Sequence, residues 1–100
     1  MTRTLSSNIV RTFQDIELAK LRDEPYAQLV LLPRSRRIKG PPDAKGIEFW
    51  IEKREGECGG VRIEVRACKR ALLIFLSCAC RGFEKLPDDS VVEEPVAPED

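Results

Sequence analysis

Hydrophobic positions recur at helical spacing early in the chain and at strand spacing from Gly46 onward. Ile9, Phe13 and Ile16 stand at i, i+4 and i+7, and Val10 and Leu21 widen the stripe. With Ser7 or Asn8 available to cap the first turn, this predicts a helix over residues 7–22, ended before Pro25. Residues 26–32 read either as a second short helix or as a buried strand, and Asp23 and Glu24 ahead of Pro25 favour the helix. Residues 33–46 hold three prolines and two glycines and read as a loop.

The period then drops to two. Ile47, Phe49 and Ile51 alternate with Glu48, Trp50 and Glu52, and Val61, Ile63 and Val65 alternate with Arg62, Glu64 and Arg66. Glycines in the stretch Glu55–Gly60 supply the turn between these two strands. A register with Glu52 opposite Arg62, Glu48 opposite Arg66 and Trp50 opposite Glu64 pairs opposite charges and stacks Ile51 on Ile63 and Phe49 on Val65. A slide of two residues sets Glu52 against Glu64 and Arg54 against Arg62, which like-charge repulsion disfavours. A third strand over residues 71–80 is apolar on both faces (Leu72, Ile74 and Leu76; Leu73, Phe75 and Ala79), so both faces need cover. Residues 87–100 are acidic, hold three prolines and lack aromatics, which reads as a disordered tail. The expected fold is one α+β domain over residues 1–86, with one or two N-terminal helices on a three-stranded antiparallel meander and the tail at 87–100.

Composition fits a soluble globular domain, with 42% apolar and 34% charged residues among 100. The zero net charge conceals a division. All 17 Lys and Arg but only 11 of the 17 Asp and Glu lie in residues 1–86, a net +6, while residues 87–100 carry six acids and no base. A basic body implies an acidic partner, and the tail could fold over that body, shield it or compete with the partner. No apolar run follows Arg3, so no signal peptide is expected, and the longest apolar run, from Ala71 to Ala79, is about half of the ~20 residues a membrane helix needs. These features predict a cytoplasmic protein with reduced cysteines and no membrane contact.

The chemistry is mostly excluded by what is missing. Cys58, Cys68, Cys78 and Cys80 are spaced by ten, ten and two with no His in the chain, which is not a zinc-knuckle pattern. They read as small reduced hydrophobes, apart from Cys58, which its neighbouring glycines should leave exposed and reactive. Absence of His removes the commonest general base and every Ser-His or Cys-His pair. The strand carboxylates interleave with Arg as a salt-bridged surface does, and Gly59-Gly60 is a turn and not a phosphate loop. No catalytic residue, cofactor or metal is therefore expected.

Two features remain as candidate contacts. Arg34, Arg36, Arg37 and Lys39 form the densest basic cluster, suited to carboxylates or phosphates, though such a cluster can also serve solubility alone or receive the acidic tail. No aromatic within it can stack on a base. Trp50, the sole Trp, falls on the charged face of its strand, as an interface anchor or as core beneath the helix.

The segment from Gly46 resembles the C-terminal half of RelE/HigB-type toxins, small endoribonucleases. The matching stretches are Gly46-Ile-Glu-Phe-Trp-Ile51, Val61-Arg62-Ile63, Leu72-Leu-Ile-Phe-Leu76 and Gly82-Phe83-Glu84-Lys85. The resemblance implies Arg62, Arg81 and Lys85 as phosphate and acid groups on RNA. It covers fewer than half of the residues, no Tyr precedes Arg62, and the chain is neutral where those toxins are strongly basic. The residues themselves point first to a small non-catalytic protein-binding or regulatory module of the inhibitor, immunity or accessory kind. It would use Arg34, Arg36, Arg37, Lys39 and Trp50 on an acidic protein surface. RNA binding or cleavage is the second reading, and self-association through an open strand edge the third.

Overall fold

A computed structural model describes residues 8–71 and 74–93, and the side chains at 70, 71 and 74–77 fall outside that description. The elements run α1 (Asn8–Arg22), α2 (Tyr26–Leu29), β1 (Ser35–Ile38), β2 (Ile47–Glu55), β3 (Val61–Ala71), β4 (Ile74–Lys85) and β5 (Val91–Glu93). The strands form one antiparallel sheet in chain order. The α+β class and the N-terminal helices are as expected, but the meander has five strands, not three.

Both additional strands lie where composition argued against structure. β1 sits inside the supposed loop: Pro33 and Gly40 bracket four residues that need no proline-free neighbourhood to pair with Phe49–Glu52. β5 sits inside the supposed tail, where Val91 and Val92 supply strand-forming side chains and pair with Lys85 and Glu84. The turn before it is built by acids. Asp88 Oδ1 accepts hydrogen bonds from Ser90 N (3.0 Å) and Ser90 Oγ (2.6 Å), and Asp89 takes the left-handed conformation, φ 73°, that Asp tolerates in such turns. Asp89 Oδ1 then accepts from Tyr26 N at 2.8 Å, and Glu93 meets Arg22 at 2.9 Å. The first half of the acidic segment is thus fastened to the α1–α2 corner; residues 94–100 lie outside the described residues.

The helix is rotated from its predicted stripe. Val10, Gln14, Leu18 and Leu21 are buried, whereas Ile9 and Ile16 are 44% and 50% exposed. Gln14 explains the rotation: its Nε2 donates to Val65 O (2.9 Å) and Ala79 O (3.1 Å), bridging β3 and β4 from the helix. Around this bond Phe49, Ile51, Ile63, Val65, Ala67 and Phe83 form the core, and Phe13 packs edge-on to Phe49 with centroids 4.6 Å apart. At the helix end, buried Lys85 donates through Nζ to Arg22 O, placing a cation at the negative end of the helix dipole.

The hairpin adopts the register that opposite-charge pairing argued against. Glu52 faces Glu64, Arg54 faces Arg62, Trp50 faces Arg66, and Phe49 and Ile51 face Ala67 and Val65. Diagonal pairs across the strands and one same-strand pair, Arg62 with Glu64, offset the repulsion. Arg54 reaches Glu64 at 3.1 Å, Arg62 reaches the same oxygen at 2.8 Å, and Arg66 lies 3.3 Å from Glu52. Long side chains reach diagonal neighbours, so the like-charge pairs opposite one another do not exclude this register. The β2–β3 loop closes through Gly56 N to Gly60 O at 2.9 Å, with Gly59 at φ 86°. The predicted third strand begins at Ile74 and runs on to Lys85, and the question of cover over Leu72–Leu76 falls outside the described side chains.

Candidate functional site

Strand alternation sorts the candidate residues onto two faces. α1 covers the face carrying Phe49, Ile51, Ile63 and Val65. Trp50 is on the other face, where no described helix packs, half-buried beside β1. Register places Arg37 directly opposite it, with the Arg37 guanidinium 5.9 Å from the ring centroid and 3.6 Å from Glu48. Two of the sequence candidates, Arg37 and Trp50, are thereby brought into one contact.

Along this open face each arginine with a described side chain meets a carboxylate. Arg37 pairs with Glu48, Arg54 and Arg62 with Glu64, and Arg66 with Glu52. The remaining members of the basic cluster differ. Arg34, Arg36 and Lys39 are exposed at β1 or beside it, and none has an acidic partner among the described residues. Among the described residues β1 has only β2 for a neighbour, which leaves its outer edge open. Arg34 O accepts from Lys53 N at 2.9 Å, and by antiparallel alternation the N–H and C=O groups of Ser35 and Arg37 then point outward. The opposite edge is β5 with Asp88, Asp89 and Glu93, so the charge division along the sequence becomes a division across the sheet. These acids lie at the far side of the sheet from the β1 cluster.

The residues implied by the toxin resemblance are dispersed. Arg62 stands on the open face, held by Glu64. Arg81 and Lys85 stand on the helix-covered face, Arg81 2.8 Å from Asp15 and Lys85 buried at the end of α1. The three do not converge on one point.

The cysteines hold the main chemical surprise. Cys68 and Cys78 are register partners on β3 and β4, with Cα atoms 4.0 Å apart, and form a disulfide. The expectation of four reduced thiols is corrected: only strand register, invisible in a spacing of ten, brings this pair together. Reduced thiols were expected as a consequence of a cytoplasmic location, and this bond departs from that consequence. Cys58 and Cys80 are free and exposed. Burial of its surroundings, with the nearby Glu64 charge, pushes the Cys80 thiol above its ordinary value against the pull of Arg66. A raised value leaves less thiolate at neutral pH, so Cys80 should alkylate slowly there and faster as pH rises. Thiol titration of non-reduced, denatured protein should count two thiols and, after reduction, four; four before reduction would show that the bond does not form.

Sequence reasoning missed Glu84. Its buried carboxylate accepts from Cys58 N (2.9 Å) and Gly60 N (2.8 Å), holding the β2–β3 loop against β4. Among the described residues no group of three or more Cys, Asp or Glu could hold a metal ion, and no helix is long and apolar enough to cross a membrane. Compared with known protein families, curated proteins and solved structures, the chain finds no match.

Proposed function

We propose that this protein is a small non-catalytic binding module that engages an acidic protein surface through β1. The observation that carries this reading is the sorting of the basic residues. Among the described residues the arginines of the open sheet face are each paired with Glu, whereas Arg34, Arg36 and Lys39 lie on an open edge without a carboxylate. Unpaired guanidinium and ammonium groups on an edge steer an acidic partner and fix its orientation. Trp50 stands on the opposite face of the sheet from Arg34 and Arg36, and its contact with Arg37 on β1 makes the indole a reporter for that edge.

A fluorescein-labelled hexaglutamate peptide and a uridine hexanucleotide of matching charge provide the test by fluorescence anisotropy at physiological salt. The peptide should bind and shift Trp50 emission, and the RNA should not compete. RNA bound as tightly as the peptide would replace this reading with nucleic-acid binding.

A further inference from the structure

Between α2 and the end of the β2–β3 hairpin lies a cleft of 680 Å³ that meets the start of β1. Its apolar wall is Tyr26, Val30 and Val61, and its basic groups are Arg34, Lys53 and Arg54, with Glu55 the single acid among the described residues. The geometry points to this cleft as the seat of a carboxylate carried on an apolar stem. It rests on the reading of β1 as the face for an acidic partner, since Arg34 closes the cleft and leads into that strand.

Lys53 is the key group. It is half-buried on the helix side of β2, and its ammonium donates to Val30 O at 2.7 Å but has no carboxylate partner among the described residues. A carbonyl satisfies one of its three N–H groups and offers no opposite charge. An ammonium partly withdrawn from water without a counter-ion favours any anion that can reach it. Among the described residues Arg34 likewise has no acidic partner, while Arg54 is committed to Glu64. Among the described residues, two cations without an acidic partner therefore face the cleft against one Glu55. The cleft lies within the size range of small-molecule sites, about 300–1,000 Å³. Tyr26, Val30 and Val61 give methylene groups a surface that inorganic phosphate could not use.

The carboxylate could belong to a glutamate of the partner or to a free dicarboxylic acid, and two probes separate these sources. Glutarate titrated into the intact protein should produce saturable amide shifts at Tyr26, Lys53 and Gly60. Lys53→Met keeps the aliphatic stem and should weaken glutarate by about tenfold, the loss of one charged contact. Lack of saturable shifts in the unaltered protein, or tighter binding of inorganic phosphate than of glutarate, would overturn the assignment, and neither result depends on the variant folding. Hexaglutamate then ties the cleft to the partner. If Lys53→Met weakens the peptide as well, the carboxylate comes from the partner. If the Arg36→Ala/Lys39→Ala protein loses the peptide while Lys53→Met binds it and glutarate normally, the β1 reading stands and the cleft is refuted. If glutarate binds and the peptide does not, the cleft stands for a free acid and the partner reading fails.

Discussion

Replacing Glu84 by Ala is expected to lower the melting temperature by about 10–20 °C. Glu84 is 4% exposed, and its Oε2 is the acceptor for both Cys58 N and Gly60 N. Truncation leaves two loop N–H groups without their acceptor and opens a void under the loop, a loss of about 2–4 kcal/mol. The approach is close: a Cβ at Gly56 would lie 2.1 Å from the Glu84 carboxyl carbon. Glu84→Gln keeps an acceptor oxygen of the same reach and should lose less than half as much. Thermal unfolding followed by circular dichroism measures both. Equal losses for Ala and Gln would mean that charge, and not the pair of accepted hydrogen bonds, is what the loop needs.

Reversing Arg34, Arg36 and Lys39 to Glu is expected to abolish hexaglutamate binding, while substituting all three by Ala should weaken it by about tenfold or more. Each exposed contact contributes about 0.2–1 kcal/mol, so removal of three subtracts a modest sum, whereas reversal adds repulsion at every site. Because the three side chains are exposed and unpaired among the described residues, the reversed protein should melt within about 5 °C of the original. Binding to the original protein should also fall with added salt, since contacts at the surface are screened over about 8–10 Å. The same reversal at the paired residues Arg54 and Arg62 would instead disturb Glu64 and cost stability. Unchanged affinity after reversal at 34, 36 and 39 would remove β1 from the account.

Much of the fold was legible in the residues because it depends on periodicity. The helix over Asn8–Arg22, the alternation in β2 and β3 and the position of Trp50 on the charged face all follow from spacing alone. What failed did so for identifiable reasons. Gln14 reads as a polar position, yet its amide faces two strand carbonyls, so the buried helix face is turned away from Ile9 and Ile16. Glu52 and Glu64 read as a forbidden pair, yet Arg66 and Arg54 reach them diagonally. β1 and β5 are four and three residues long, too short for a period, and are masked by basic and acidic composition. The Cys68–Cys78 bond needs a register that no spacing supplies. For the candidate site, the basic cluster was visible as composition. Which of its members are unpaired became visible only once β1 set Arg37 against Trp50 and Glu48.

The central claim is that β1 is the contact edge, and amide hydrogen exchange at Ser35 and Arg37 tests it most directly. Their N–H groups point away from β2, so they should exchange rapidly in the free protein and slow markedly when hexaglutamate is bound. Protection centred instead on the open face around Arg62, or on the β5 edge, with Ser35 and Arg37 unchanged, would contradict the account.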